Sequence, residues 1–503
     1  MAFDTIPSLF DAAVERDPDR EWLLFEAERF SFGQAARRIA GIAAGLAERD
    51  VAHASLVLAT AANDPASLFC WLATVRLGAV FVPVNPRSTP AEVAGLVAQT
   101  QPRLVIAPRE LRDAVAPDSD SPDHVDLEDL AELETDPAES PAEPGDPAVL
   151  IPTSGTTGRS KLVTQTHRAY AMAGEGFPYW MRLDSSDRLM TSLPLFHINA
   201  PAYSVLGSVA AGSGLVLLPR FSASTFIDSA RRYGATQFNA IGAMVEMLMR
   251  QPERDDDADN PVRTCYSAPA PSRERQHEIE ARFGLELVSG YGLSETPYGL
   301  CWRPGTRPYG TLGWPRQHPT LGTINQARVM ADGSPVPMGE TGELELRNPA
   351  VMLGYWGMPE ETSRVLVDGW LRTGDLVAEN PDGTYTFVGR RKEIIRRRGE
   401  NLAPAEVEDA LAGHPDVVEA AVIGVASDLG EEEVKGFVVL RDPTVSLAAV
   451  REHAAGRVAA FKVPRYIEAL DDLPHTPTGR VAKHELPSGI TGREWDAEEA
   501  SSR

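Results

Sequence analysis

The chain has 503 residues, too many for one ordinary core and enough for two or three. Apolar residues make up 43% and charged residues 24%, the balance of a soluble globular enzyme rather than a disordered or fibrous chain. Asp plus Glu number 72 against 48 Lys plus Arg, a formal charge of −24. This argues against general binding to nucleic acid or anionic lipid, yet leaves room for a small anion in a local basic pocket.

The first residues, MAFDTIPSLFDAAVERDPDR, are acidic and mixed, unlike a signal peptide, and no apolar run approaches the ~18 residues of a membrane span. A cytoplasmic protein is expected. Cys70, Cys265 and Cys301 lie far apart, with neither disulfide-framework nor zinc-ligand spacing.

Strand and helix patterns alternate from residue 55. Residues 55–60 read as a buried strand, 65–78 as a helix, 79–84 as a strand, 88–99 as a helix opening on Ser-Thr-Pro-Ala-Glu, and 103–107 as a strand. Residues 117–147 are rich in Asp, Glu, Pro and Ser and read as a solvated loop, as do 252–261. The rhythm resumes with strands at 189–194, 214–218, 235–239 and 285–288. Two runs of this kind predict two related parallel-sheet subdomains with helices on both faces.

From about 320 the pattern changes to short β segments with Gly and Pro turns. An α+β region follows, with helices at 404–412 and 446–460 and strands at 417–424 and 435–440. The expected fold is α/β: a large N-terminal lobe with two βα-repeat subdomains plus a smaller β subdomain, and a small α+β C-terminal domain.

Only five of the 48 basic residues are lysines: Lys161, Lys392, Lys435, Lys462 and Lys483. In a chain so biased toward Arg, positions that keep Lys are candidates for places where a planar guanidinium cannot replace a compact ammonium.

The sharpest chemical signal is the loop Thr153, Ser154, Gly155, Thr156, Thr157, Gly158, Arg159, Ser160, Lys161, which follows the apolar run 148–151. Its hydroxyls, glycines and lysine suit a phosphate, although the spacing is not that of a Walker A loop. Ser289, Gly290, Tyr291, Gly292, Leu293, Ser294, Glu295 and Thr296 follow the strand at 285–288. They offer close backbone approach, a ring for a base, a metal ligand and a hydroxyl. Asp375, in Thr373-Gly-Asp375, suits paired ribose hydroxyls. Further segments are 389–395, 399–408 and Pro474-His-Thr-Pro-Thr-Gly-Arg-Val-Ala-Lys-His-Glu-Leu486.

These segments, in this order, resemble the AMP-forming adenylating superfamily of acyl-CoA synthetases, luciferases and peptide-synthetase adenylation domains. The resemblance covers roughly residues 5–486. His197, in Pro194-Leu-Phe-His-Ile-Asn199, and Phe461-Lys-Val-Pro-Arg465 are most similar to the fatty-acyl and carnitine-CoA ligase branch. The resemblance implies an N-terminal adenylating domain over 1–388, a hinge at 389–392, a mobile domain over 393–488 and a tail over 489–503.

It also implies ATP, Mg²⁺ and CoA: a small carboxylate attacks the ATP α-phosphorus, pyrophosphate leaves, and a thiol displaces AMP. By matching position, the 153–161 loop takes the β- and γ-phosphates, Thr296 the α-phosphate and Glu295 the Mg²⁺. Tyr291 stacks on adenine opposite Ser267, Ala268 and Pro269. Asp375 and Arg390 take the ribose hydroxyls. Lys392 is the hinge, and the 399–401 segment faces the thiol donor. His197 lines the acyl pocket near the thiol entrance, with Tyr203, Met244, Gly290, Tyr298 and Gly299 as its wall.

Ser160 is a minor departure, standing where the family commonly has Pro. The larger one is Arg480, where the family has a lysine that bridges carboxylate and α-phosphate. Arg480 doing that work, Lys483 swinging in, and an altered first half-reaction are the three readings. Beside CoA, a carrier-protein thiol is an alternative acceptor. Nitrite activated with ATP and coupled to an aryl amine is an alternative chemistry, and a degenerate nucleotide-binding relative a further alternative. Homodimers are common among related enzymes.

Overall fold

Continuous aliphatic runs belong in strands covered on both faces. In the computed structural model of the chain, Leu56–Thr60, Val80–Val84 and Leu104–Ile106 pair in parallel within a seven-stranded sheet. The described residues are 4–108, 123–131, 134–153, 161–393, 395–397, 400–426, 432–460, 462–476 and 481–498, without the side chains of 131, 392, 396, 400 and 401. They divide into two compact units, 1–327 with 345–372, and 328–344 with 373–503.

In the first unit, helix Pro65–Arg76 starts where the Asp64 carboxylate accepts from the Ser67 N–H at 2.7 Å. Helix Pro90–Thr100 starts on a reciprocal Thr89–Glu92 capping box. Pro147–Thr153 and Lys161–Thr166 extend the sheet as an antiparallel pair in which Thr153 faces Lys161. The acidic tract 117–147 is not solvent-facing throughout. Its Asp123–Val125 adds a parallel edge strand beside Leu104–Ile106, and Val125 and Leu130 are buried. Apolar residues spaced within an acidic background are enough to dock it.

A second sheet of nine strands carries Arg188–Thr191, Gly214–Leu217, Gln237–Ile241, Thr264–Ala268 and Glu286–Leu293 in parallel. Thr296–Cys301 returns antiparallel along Glu286–Leu293. The hairpin Glu21–Phe25 and Glu28–Ser31 closes the other edge, so the beginning of the chain completes a sheet built mostly from its middle. The 252–261 segment, expected only to solvate, holds buried Asp257, which pairs with Arg282 at 2.7 Å.

In the second unit, Val417–Ala426, Glu432–Leu440, Tyr466–Leu470 and Trp495–Asp496 form a four-stranded sheet with helices Pro404–Ala412 and Leu447–Ala455. Residues 489–503, expected as a tail, supply its last strand. Lys435, buried in the unit, is held by Glu468 at 2.8 Å and Glu494 at 2.5 Å. The fold is therefore α/β, with a large N-terminal part of several sheets and a small α+β C-terminal part. All three cysteines are free and buried. Among the described residues no helix is long and apolar enough to cross a membrane.

Candidate active site

Parallel strands leave their carboxyl ends open for ligands. In the nine-stranded sheet four such ends lead into predicted site residues: Thr191 toward His197, Ile241 toward Met244, Ala268 toward Pro269, and Ser289 within Glu286–Leu293. Ser267 and Ser289 sit opposite each other in register. Both are buried, and the Ser267 hydroxyl has no partner among the described residues, a donor left over for something absent from the chain itself.

A tight antiparallel return pairs Leu293 with Thr296 and sets Glu295 at its tip. Thr296 is fully buried. Its hydroxyl donates to Asn348 Oδ1 at 3.3 Å and accepts from the Tyr298 N–H at 3.3 Å. The turn is pinned from two sides: Gln165 Nε2 donates to the Ser294 carbonyl at 2.6 Å, and the Met352 N–H donates to the Glu295 carbonyl at 2.8 Å.

Lys161 and Glu295 meet on one side chain. The Tyr355 hydroxyl donates to Glu295 Oε1 at 2.8 Å, and Lys161 Nζ lies 4.8 Å from the centre of the Tyr355 ring. Burial, then the neighbouring Glu295 charge, push the Tyr355 phenol up, so it stays a donor. Lys161 also donates to Glu361 Oε2 at 2.6 Å, and that bond holds the Glu361 carboxyl below its ordinary value. Thr153 Oγ1 donates to the Lys161 carbonyl at 3.1 Å, tying together the two ends of the phosphate-loop motif. Ser154, Gly155, Thr156, Thr157, Gly158 and Ser160 lie outside the described residues.

Glu295 is half-buried and belongs to no cluster of three or more possible metal ligands among the described residues. One carboxylate is a fitting protein share for a magnesium ion that completes its shell with phosphate oxygens and water.

The glycines of this edge have a specific reason to be bare. A Cβ on Gly290 would stand 2.3 Å from the Tyr266 hydroxyl, and one on Gly299 would stand 2.2 Å from the Tyr291 carbonyl. The close approach at Gly290 is therefore that of a tyrosine of the chain. A Cβ on Gly292 would stand 3.1 Å from the Tyr203 hydroxyl, and Tyr291 is half-buried.

Tyr203, Met244 and Tyr298, expected in the wall of the acyl pocket, are buried. Tyr203 stacks on Phe177 at 5.4 Å, and Tyr298 meets Trp180 edge-on at 4.9 Å. His197 packs against Phe196 and lines a small apolar cavity with Trp71, Phe81, Val149, Ile151, Tyr170 and Leu195.

In the second unit, antiparallel pairing puts Asp375 opposite Arg390, with Oδ1 and Nε 3.0 Å apart and the carboxylate buried. Lys392 lies in the short 3₁₀ turn Arg391–Glu393, its side chain outside the described residues. Lys483 pairs with Glu408 at 2.7 Å and Glu393 at 3.2 Å, so the reading in which it swings to substrate requires both contacts to break. Arg480 lies outside the described residues, as does Gly399 of the 399–401 segment expected to face the thiol donor.

Sequence reasoning missed Tyr355, Glu361, Asn348, Tyr266 and Arg316. None belongs to a local pattern. The Lys161–Glu361 contact spans 200 residues.

A family model of AMP-binding enzymes matches residues 10–356, and a model of the AMP-binding enzyme C-terminal domain matches 406–480. Sulfoacetate–CoA ligase of Cupriavidus necator is 33% identical, covering 96% of this chain and 97% of the relative. Crotonobetaine/carnitine–CoA ligase of Salmonella enteritidis is 32% identical, covering 84% and 86%. The solved structure of ATP-bound MatB from Rhodopseudomonas palustris matches with a TM-score of 0.88 at 28% identity, over 95% of this chain and 97% of that one. O-succinylbenzoate coenzyme A synthetase from Bacillus subtilis, in complex with AMP, matches with a TM-score of 0.84 at 25% identity, over 95% and 97%. With loop motifs, sheet ends and both domain models in agreement, the chain belongs to the family of AMP-binding enzymes.

Proposed function

We infer that the protein is an ATP-dependent acid–CoA ligase: it activates a small carboxylate as an acyl adenylate with release of pyrophosphate, then transfers the acyl group to the CoA thiol. The observation that carries this reading is the gathering of Lys161 and Glu295 on Tyr355, with Glu295 beside the buried Thr296 hydroxyl at the open end of a parallel sheet. A carboxylate is a poor electrophile, and it must approach an anionic α-phosphate. Fixed positive charge and donors aimed at that phosphate are what the first step demands.

In this reading Lys161 and its loop bind the outer phosphates, and Thr296 donates to the α-phosphate. Glu295 holds the magnesium, which supplies charge neutralisation when bound. The unpartnered Ser267 hydroxyl serves the adenine side with Ala268, Pro269 and Tyr291, while Asp375, oriented by Arg390, accepts from the ribose. His197 borders the acyl route, and Lys392 is the hinge between half-reactions. Two relatives are named for sulfoacetate and for crotonobetaine and carnitine. We propose a comparably small acid here.

Arg480 supplies the charge that the family's lysine supplies. Removing one preorganised donor typically costs about 10²–10³ in rate, and Arg480→Ala is expected to lose adenylation to that extent while sparing thiolysis of a supplied acyl adenylate. Equal loss in both half-reactions, or none, contradicts the assignment. The same pyrophosphate-release assay run with nitrite plus an aryl amine, and with a carrier protein in place of CoA, separates the ligase from its alternatives.

A further inference from the structure

Four cationic side chains are buried among the described residues: Arg76, Arg316, Arg397 and Lys435. Three have carboxylate partners. Arg76 pairs with Asp11, Arg397 with Glu433 at 2.6 Å, and Lys435 with Glu468 and Glu494. Arg316 is the exception. Its guanidinium is held by neutral acceptors: beside the buried Cys301 thiol, Nε donates to the Leu300 carbonyl at 3.1 Å, and Nη1 to the Tyr203 hydroxyl at 2.5 Å and the Pro297 carbonyl at 2.8 Å. Nη2 donates to the Tyr266 hydroxyl. The rings of Trp180, Tyr203 and Tyr266 stand 4.7, 4.9 and 5.5 Å from it.

Desolvating a full charge is costly, and neutral acceptors with aromatic faces offset only part of that cost. The carboxylate that faces Tyr298, Glu175, is paired with His318 at 3.2 Å, so the Arg316 charge has no direct counter-ion among the described residues, in a setting where charge is weakly screened. A second, independent feature lies beside it. The Tyr298 hydroxyl is fully buried and has no partner among the described residues. Tyr298 shares a strand face with Thr296, two residues away. Pro297, between them, is the residue whose carbonyl accepts from Arg316.

We propose that Arg316 and Tyr298 form an anion subsite on the acyl side of Thr296, and that the acid activated carries a second anionic group, a carboxylate or sulfonate. The proposal rests on the ligase reading and names its substrate class. The reacting carboxylate sits at Thr296. The distal anion accepts from Tyr298 and neutralises Arg316 across a spacer of roughly two to four carbons, set by the two-residue strand rise from Thr296 to Tyr298, about 6–7 Å. An acid with a quaternary ammonium at the distal position is excluded by like charge.

The test is pyrophosphate release from MgATP with matched acids: succinate, glutarate and 3-sulfopropanoate against butanoate and pentanoate. The wild type is expected to favour the dianionic member of each pair by about 10² in kcat/KM, since a site built around buried polar groups rejects the analogue lacking their partner. In Arg316→Met, which keeps the stem and removes the charge, that ratio collapses toward one. In Tyr298→Phe, which removes a single oxygen and guards against misfolding of the first variant, it falls several-fold. The rise in melting temperature on adding MgATP serves as the folding control for both. Monoanionic acids used as well as dianionic ones by the wild type, or an unchanged ratio in a folded Arg316→Met, overturns the subsite and leaves the ligase standing. No pyrophosphate with any acid overturns the ligase reading and the subsite with it.

Discussion

Lys161 and Arg316 belong to the same unit and are treated in opposite ways. Lys161 is about a quarter exposed and already holds a carboxylate, Glu361, which is itself a third exposed. Arg316 is sealed in, with four neutral oxygens and no carboxylate. A cation that exchanges partners needs an anion to hand over and water to ease the exchange. One that discriminates between ligands needs a dry, preorganised setting where an unmet charge is costly. The contrast suits the two proposed roles, Lys161 for a phosphate that arrives and leaves and Arg316 for recognition.

The largest effect that sharpens this contrast is expected on the anionic side of the phosphate cluster. Glu295→Gln removes the proposed metal ligand while keeping its shape, and adenylation should fall by about 10²–10³, read as pyrophosphate release at saturating acid. Lys161→Ala should follow with a loss of about 10² in kcat/KM for MgATP. The dianion-over-monoanion ratio should not move. A change in that ratio would break the division of labour between the two cations.

A smaller effect of opposite sign is expected at Glu361. An exposed ion pair is worth little, so Glu361→Gln, which frees Lys161, should tighten MgATP binding up to about fivefold by calorimetry. Weaker binding would mean that Glu361 positions Lys161 instead of occupying it.

Lys435 offers the comparison from the second unit, as a buried cation that is fully paired. Burial works to raise the Glu494 carboxyl, but the hydrogen bond from Lys435, with a backbone bond from Thr491, outweighs it and lowers the value from 4.5 to about 2. A carboxyl lowered in the folded state contributes stability that is present above the unfolded value and lost as the pH falls through the folded one. Acid titration of unfolding should therefore show the second unit weakening between about pH 4.5 and 2. Glu494→Gln should remove that part of the slope.

The parallel strands were legible because fully buried strands carry uninterrupted aliphatic runs, as at residues 55–60 and 79–84. The Glu21–Ser31 hairpin was not: its first strand is only five residues long and starts on a charge, Glu21, and its pairing partner Gly214–Leu217 lies nearly two hundred residues away. The tail strand Trp495–Asp496 is two residues long and has no periodicity to read. The phosphate-side residues Lys161, Glu295 and Thr296 were readable because each sits in a dense local motif.

Arg316 was not, since an arginine between Pro315 and Gln317 in a Gly- and Pro-rich turn looks like surface charge. Only the tertiary neighbours Tyr203 and Tyr266, 113 and 50 residues away, show that it is buried. The bare backbone at Gly290 was visible in sequence, but the tyrosine that requires it was not.

The most direct test of the ligase assignment is a product balance. The purified chain is incubated with magnesium, ATP, CoA and a panel of small mono- and dianionic acids, and the products are separated by mass. Equimolar AMP, pyrophosphate and an acyl-CoA thioester, all dependent on the acid, are the predicted result. ATP left intact with every acid, or cleaved to ADP and phosphate, would contradict it.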